Sequence, residues 1–308
     1  MDDVKSTGEA RARSPMRRRI SAAFRGVLAL AGVVFIGLTL HRSLVGKWRH
    51  VLPSWPRVIV CLVLVLAGLL AGGTAWRTLF GPAGRARGLS RGFYFATLAR
   101  YVPGGVWQPI GQVGSAAGTG IPMTTALIAY PVHAVIYVVS GAILSAGVAF
   151  TGHRLPLVVR IVAGFAVLTA VFLNRRWMAW ALTLARRVTH RLPRVEELPS
   201  QARIFRAFAF SFAAVALTDI AFAILVKGGA AAVCAFSAGW TIGYVLIPIP
   251  SGLGVREAVI IGLLPLPTSV VLTAAIAHRL ALMVAELAVA GTVAADSIVR
   301  RRPSGRPA

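Results

Sequence analysis

The stretch Ile247-Pro-Ile-Pro-Ser-Gly-Leu-Gly-Val-Arg-Glu257 lies between hydrophobic segments and carries the strongest fold signal in the chain. Its prolines remove backbone donors, and its glycines permit turns and close backbone approach, at Pro248, Pro250, Gly252 and Gly254. A lipid-facing helix cannot contain this combination, because its unpaired backbone groups need protein or water as partners. The stretch therefore predicts a helix that stops inside a membrane and restarts at Val255.

The restarted helix carries Arg256 and Glu257 in its first turn. The partial positive charge at a helix N-terminus favours a carboxylate or an anionic ligand group at that position. Interrupted helices with such charged ends hold the substrate in membrane transporters. We therefore expect a ligand site at this break.

The composition is that of a membrane protein. The chain has 308 residues, 57% of them hydrophobic, which is enough for several spans of about 20 residues each. The formal net charge of +24 comes from basic residues clustered between hydrophobic runs, as the positive-inside rule predicts. No zinc-finger or aromatic RNA-reading motif accompanies them, so we expect no nucleic-acid partner.

A second interrupted segment, 81–120, is rich in glycine and centred on Arg100-Tyr-Val-Pro-Gly-Gly-Val-Trp-Gln-Pro109. It is too broken for a lipid-facing helix and too apolar for a water-exposed loop, which predicts a re-entrant hairpin. Pro103, Gly104 and Gly105 would form its tip. The stretch quoted first would form the tip of a second hairpin, at 229–265.

Two short motifs resemble a known family. Residues 250–258 (PSGLGVREA) and 99–107 (ARYVPGGVW) look like signature blocks of the transmembrane region of lysylphosphatidylglycerol synthases and their stand-alone relatives. The family pattern usually has glycine where this chain has Ser251. Because no aminoacyltransferase domain follows the hydrophobic region, the resemblance implies the lipid-handling membrane part without the synthase.

Hydropathy predicts an all-α polytopic membrane protein with about six full spans and the two re-entrant hairpins. The spans are predicted at 24–45, 58–80, 122–150, 155–173, 207–226 and 268–298. A signal peptide competes for 24–45, but no small-residue cleavage site follows it. Eight full spans stay an alternative, because hydropathy alone does not separate a long hairpin from two short helices.

Most Lys and Arg residues fall in segments that this arrangement puts in the cytoplasm: 1–25, 77–100, 174–206 and 299–308. The prediction is a multi-pass protein of a bacterial plasma (inner) membrane with both termini cytoplasmic. Its transmembrane domain covers 24–298, between a disordered basic tail (1–23) and a second basic tail (299–308). The segment 174–206 contains an amphipathic helix lying on the bilayer.

Under this topology the hairpins enter from opposite sides and form an inverted repeat, a layout that places transport sites near the membrane midplane. Tyr101-Val-Pro-Gly-Gly and Ile249-Pro-Ser-Gly would be counterparts at the two tips.

Ionisable residues inside the predicted membrane segments are the candidate site, because burying them is costly without a partner or a function. The candidate headgroup-binding residues are Asp219, Arg256, Glu257, Arg279 and Glu286, with Arg100, Tyr101, Trp107 and Gln108 from the first hairpin. Arginine suits a phosphate, and carboxylates suit a cationic amine. The alternatives are structural ion pairs for the charged residues and interfacial anchoring for those of the first hairpin.

The sequence contains no catalytic motif and no metal-ligand spacing, so we expect no enzyme activity, cofactor or metal. An intramembrane enzyme using Asp219 or Glu257 is a minor alternative. Cys61 and Cys234 lie in apolar runs and are predicted to be buried hydrophobic residues.

Two functions stay open. The first is a lipid translocator that moves a phospholipid or a lipid-linked polar group across the bilayer. The second is a non-transporting scaffold that docks a glycosyltransferase or lipid-modifying enzyme on segment 174–206. Membrane lipids are expected partners in both cases, and the sequence predicts no particular oligomeric state.

Overall fold

A computed structural model describes residues 53–101, 106–147, 168–188, 194–245 and 255–301. Helices and turns make up these residues, without a strand among them, which confirms the all-α prediction for this part of the chain. Its α-helices are α1 Trp55–Leu79, α2 Arg87–Leu98, α3 Trp107–Ala117, α4 Met123–Ala146, α5 Arg175–Val188, α6 Gln201–Val226, α7 Gly229–Val245, α8 Val255–Leu263 and α9 Thr268–Arg301.

Several predicted features lie outside the described residues. They are the span at 24–45, most of the span at 155–173, the tail at 1–23, nearly all of the tail at 299–308, and the hairpin-tip residues Pro103, Gly104, Gly105, Pro248, Pro250, Gly252 and Gly254.

Four helices are long and apolar enough to cross a membrane: α1, α4, α6 and the part of α9 at Thr268–Asp296. They hold 25, 24, 26 and 29 residues. At about 1.5 Å per residue, each is longer than the roughly 30 Å hydrocarbon core of a bilayer. They coincide with four of the predicted spans and indicate a membrane protein.

The start of α6 differs from the prediction. The helix begins at Gln201, whereas the sequence placed the span from residue 207 and assigned 201–206 to the cytoplasmic segment. The Gln201 side chain accepts a hydrogen bond from the Arg175 backbone N–H (2.7 Å) and donates one to the Leu173 carbonyl (3.0 Å), which ties the helix start to the preceding segment. Arginines in the first turns are compatible with a helix at a membrane boundary, because long side chains carry their charge away from the apolar stem.

The helices α1 and α6 pack antiparallel at the centre of the described bundle. A Cβ atom at Gly68 would lie 2.8 Å from Thr218 Oγ1 and 2.9 Å from the Ala214 carbonyl oxygen, so glycine allows this close crossing. Gly81, just after α1, contacts Arg203 near the start of α6. Since the end of α1 meets the start of α6, the two helices run in opposite directions.

The turns of the chain gather at two opposite ends of the bundle. At the first end, the Thr125 hydroxyl donates a hydrogen bond to the Glu197 carboxylate (3.3 Å), close to the Gly81–Arg203 contact. At the second end, Val226 and Leu264 share a buried cluster with residues from the first half of α1. The helix pair α2/α3 therefore begins and returns at the first end, and the pair α7/α8 does so at the second.

The helices form two sets with the same order: α1 to α4, and α6 to α9. Three helices of the first set (α1, α3 and α4) and their counterparts in the second set (α6, α8 and α9) start 145 to 148 positions apart, while α2 and α7 end at Leu98 and Val245, 147 positions apart. The packing corresponds as well: α2 packs on α3 as α7 packs on α8, and α9 contacts α1 and α2 as α4 contacts α6 and α7. Each set is therefore a long helix, a pair of shorter helices and a second long helix.

Both short pairs use a glycine at the same relative position. A Cβ at Gly92 of α2 would collide with the Ser115 side chain of α3. A Cβ at Gly239 of α7, 147 positions later, would lie 2.8 Å from the Arg256 carbonyl oxygen of α8. The absence of a side chain thus brings the two helices of each pair into close contact.

Candidate functional site

The start of α8 holds two arginines against one carboxylate. Arg256 donates from Nη2 (2.9 Å) and Nε (3.2 Å) to Glu257 Oε1. Arg279 of α9 places its Nη2 atom 3.4 Å from the same oxygen. The side chains of Arg256, Glu257 and Arg279 are 10%, 15% and 24% exposed. The group has two positive charges and one negative charge, is partly accessible, and its carboxylate lies in a helix first turn, where the dipole favours it.

Helix α7 packs against Arg256 and fixes its position. The Arg256 guanidinium lies 5.1 Å from the centre of the Phe236 ring, a distance at which the cation is attracted to the ring face. Gly239 lets the backbone of α8 approach α7 at Arg256. The His278 ring packs with its edge toward Phe236 at 4.7 Å, and its Nε2–H donates to the Thr218 carbonyl at 3.1 Å. The arginine is therefore held by packing as well as by charge.

A buried carboxylate lies behind the group. Asp219 of α6 is 1% exposed and lies against Ser237, within electrostatic range of Arg256. The Ser237 hydroxyl donates to the Gly141 carbonyl of α4 at 3.1 Å. Within the described residues, Asp219 Oδ2 has no hydrogen-bond partner. Asp219 thus lies close to Arg256, in a position closed to bulk solvent.

The first helix pair meets α9 through a separate ion pair. Arg100 Nη2 lies 2.5 Å from Glu286 Oε1, and the Glu286 side chain is 0% exposed. Tyr101 makes a side-chain hydrogen bond to Glu286 and is within electrostatic range of Arg279. Both helix pairs therefore meet the same helix at adjacent positions.

Six of the predicted site residues come together along α9. Arg279 and Glu286 are seven residues apart, about 10 Å along one helix face, and each takes its partners from a different helix pair. We call this group the α9 polar track; it consists of Arg100, Tyr101, Arg256, Glu257, Arg279 and Glu286.

Two predicted residues lie elsewhere along the first helix pair. Trp107 and Gln108 lie in the first turn of α3 and are half-buried. The undescribed residues 102–105 separate them in sequence from Arg100 and Tyr101.

An aromatic group beside Arg100 was missed by the sequence analysis. Trp240 and Tyr244 of α7 stack with ring centres 5.0 Å apart, and Tyr137 of α4 lies 6.1 Å from Trp240. Tyr137 and Tyr244 are within electrostatic range of Arg100, and Tyr130 interacts with Tyr244. Their spacing of four and seven residues on apolar helices was the available signal, but aromatic residues at such spacings are common in membrane helices.

Metal ligation finds no support in the part of the chain that the structure describes. No group of three or more His, Cys, Asp or Glu side chains in it is placed to hold a metal ion. Cys61 and Cys234 are buried and unbridged, as predicted for hydrophobic core residues.

No protein-family model matches the chain, and no curated protein or solved structure is significantly similar to it. The resemblance to the lysylphosphatidylglycerol synthase membrane region therefore stays a prediction that rests on two short motifs. In the residues that the structure describes, the fold and the site define a class: a helical membrane protein with four helices able to cross a membrane and a charged track between them.

Proposed function

We propose that the protein is a lipid translocator that moves a phospholipid or a lipid-linked polar headgroup across a bacterial plasma membrane. The observation that carries this proposal is the α9 polar track, where ion pairs from both short helix pairs meet one membrane-length helix. Charges inside a membrane are expensive, and in known membrane proteins they line substrate or ion pathways.

The depth of the track supports this reading. Arg279 lies 11 residues after the start of α9 at Thr268, or about 16 Å along the helix axis. If the roughly 30 Å hydrocarbon core begins at Thr268, Arg279 lies close to the midplane, where a headgroup has to pass, and Glu286 lies nearer the opposite boundary. A scaffold needs no ionic cluster at that depth.

We further propose six full spans with two re-entrant hairpins, α2/α3 and α7/α8, related as an inverted repeat. Support comes from the antiparallel crossing of α1 and α6, from the similar spacing of the two helix sets, and from short pairs that begin at opposite ends. Pro103 and Pro250, like Gly105 and Gly252, are 147 positions apart in the sequence, as are the close-packing glycines Gly92 and Gly239.

Translocation would follow from opening one ion-pair contact at a time. Arg100–Glu286 joins the first hairpin to α9, and Arg279–Glu257 joins the second. Since the hairpins enter from opposite sides in this topology, releasing one contact exposes the track to one leaflet while the other stays closed. This is alternating access around a fixed midplane site.

The test is a leaflet-exchange assay with the purified full-length protein in liposomes. The accessibility of headgroup-labelled phospholipids to an impermeant quencher is followed over time, with empty liposomes and an unrelated membrane protein as references. We expect faster exchange than in either reference, slowed by Glu257→Gln and by Arg256→Ala, with both variants still present in the membrane. Glu197→Gln is the matched control, because Glu197 lies at one end of the bundle and accepts from Thr125. Wild-type rates equal to the references, across several headgroups and with a proton gradient, would reject the translocator.

The topology has its own test. Single cysteines at Arg85, Gly120 and Glu196, in a background without Cys61 and Cys234, should react from the cytoplasmic side with an impermeant thiol reagent. A cysteine at Lys227 should react from outside. Labelling of positions 85 and 196 from opposite sides would remove the inverted repeat.

The scaffold is the second candidate, and α5 is the observation that favours it. This helix exposes Trp177, Trp180 and Leu184 on one side, a pattern typical of helices that lie on a bilayer or dock a partner. If the liposome assay shows no exchange, we expect substitution of these three residues by serine to abolish the protein's cellular effect without changing its membrane level.

A further inference from the structure

The arginine group at the start of α8 has the donor geometry of an oxyanion site. Two N–H groups of Arg256 donate to Glu257 Oε1, and Arg279 Nη2 lies 3.4 Å from the same oxygen atom. Guanidinium groups present donors in a planar fork that fits carboxylate and phosphate oxygens equally well. The carboxylate therefore takes a position that a phosphate oxygen would fill.

We propose that Arg256 and Arg279 form a phosphate clamp, and that Glu257 fills this clamp as an internal substitute until a phosphate-bearing ligand displaces it. This inference deepens the proposed translocator, on which it rests, by naming the ligand chemistry of its site. The clamp takes the phosphate of a headgroup, and a monoester in preference to a diester.

The preference for a monoester follows from charge. The two guanidiniums carry two positive charges, and Glu257 compensates one of them. A phosphate monoester carries about −1.5 to −2 charges at neutral pH, so it compensates the pair better than the carboxylate does. A diester carries one negative charge and gains nothing over Glu257.

The surroundings fit an exchangeable carboxylate. The Glu257 carboxylate is 15% exposed, whereas the Glu286 carboxylate is 0% exposed; their partners Arg279 and Arg100 are 24% and 34% exposed. Phe236 holds the Arg256 guanidinium from one face, so this donor keeps its position when the carboxylate leaves. Tyr101 is within electrostatic range of Arg279.

The test measures binding at equilibrium, independently of transport. The full-length protein is placed in phosphatidylcholine nanodiscs that also contain phosphatidic acid (a monoester), phosphatidylglycerol (a diester) or oleate (a carboxylate). Native mass spectrometry counts the lipids retained, and inorganic phosphate is titrated as a competitor. We expect phosphatidic acid to be retained most, and inorganic phosphate to displace it weakly. If inorganic phosphate binds as tightly as phosphatidic acid, the result supports a phosphate clamp whose ligand is a free anion and not a lipid.

The decisive variant is Glu257→Gln. If about nine-tenths of the unliganded molecules have the clamp filled by Glu257, removing this competitor strengthens phosphatidic acid binding about tenfold. Arg279→Lys keeps the charge but loses the fork, and should weaken binding. Glu197→Gln should leave it unchanged. Equal or weaker binding by Glu257→Gln, in protein that runs as a single species on size exclusion, would overturn the clamp.

The two proposals fail separately. Tighter binding by Glu257→Gln without any leaflet exchange by the wild type supports the clamp and removes the translocator. Leaflet exchange with no preference among the three lipids supports the translocator and removes the clamp.

Discussion

The two short helix pairs are built alike but are attached to α9 by different electrostatics. Each pair uses a glycine at the same relative position, Gly92 or Gly239, to bring its two helices together. In the first pair, Arg100 contacts the fully buried carboxylate of Glu286 on α9. In the second, Glu257 of α8 is shared by Arg256 of the same helix and Arg279 of α9, and this carboxylate is partly accessible.

This difference separates a structural contact from a ligand site. An ion pair of one arginine and one fully buried carboxylate leaves no surplus charge to attract a ligand, although the Arg100 side chain is 34% exposed. It holds the first helix pair on α9 as long as the contact stays closed. A group with a surplus positive charge and partial access attracts an anion and can exchange its partner. In the proposed function, we therefore expect Arg100–Glu286 to anchor the first helix pair and Arg256, Glu257 and Arg279 to bind the ligand.

The largest expected effect comes from Glu286→Gln. This change leaves the Arg100 guanidinium, whose side chain is 34% exposed, without its fully buried carboxylate partner. Because of that exposure, we expect the cost to lie at the lower end of the about 3 to 5 kcal/mol typical of broken buried pairs. We expect little protein in the membrane and a strongly lowered melting temperature in detergent. Glu257→Gln should keep a normal membrane level, because its group is partly solvated. Normal levels and melting for both variants would contradict the anchoring role of Arg100–Glu286.

The long helices could be predicted from sequence because apolar length alone identifies them. The early start of α6 was missed, since Arg203 and Arg206 resembled a loop; in the structure both lie on the helix, and the Arg206 side chain donates back to the Ala202 carbonyl at 3.3 Å. Local composition does not show whether a charged residue lies in a loop or on a helix whose side chains reach the membrane boundary.

The site residues could be predicted, but their partners could not. The charged residues inside apolar segments could be recognised because burying a charge costs free energy. Their spacing also placed Arg279 and Glu286 on one face of one helix. Which arginine meets which carboxylate depends on where the helix pairs cross α9, and this is set by packing at positions such as Gly239. Tyr244 and Trp240 were missed for the same reason.

An intermediate effect is expected from adding one methyl group to each helix pair. In Gly239→Ala the new Cβ meets the backbone carbonyl of Arg256, which cannot rotate away. We expect a loss of about 1 to 3 kcal/mol and weaker phosphatidic acid binding, because the start of α8 has to move. In Gly92→Ala the Cβ meets the Ser115 side chain.

A second substitution can therefore relieve the clash in Gly92→Ala, because the clashing atoms belong to a side chain. No second substitution can do so for Gly239→Ala, where the clashing atom belongs to the backbone. The double change Gly92→Ala with Ser115→Gly should restore most of the stability lost in Gly92→Ala. Melting temperatures of the three variants, with lipid binding for Gly239→Ala, measure this difference. A Gly239→Ala protein with wild-type binding would show that the close approach of α7 and α8 does not position the clamp.

The smallest effect concerns the buried histidines of the two halves. His133 of α4 packs against Trp76 (5.4 Å) and Tyr137 (4.9 Å), and within the described residues its Nε2 atom has no hydrogen-bond partner. His278 of α9 donates from Nε2 to the Thr218 carbonyl, while its Nδ1 atom has no hydrogen-bond partner within the described residues. Replacing a buried polar group that lacks a partner by an apolar ring of similar shape is close to neutral, whereas losing a hydrogen bond typically costs about 1 kcal/mol. His133→Phe should thus melt at or slightly above the wild-type temperature, and His278→Phe a few degrees below it. The opposite order would show that His133, and not His278, makes the stabilising polar contact.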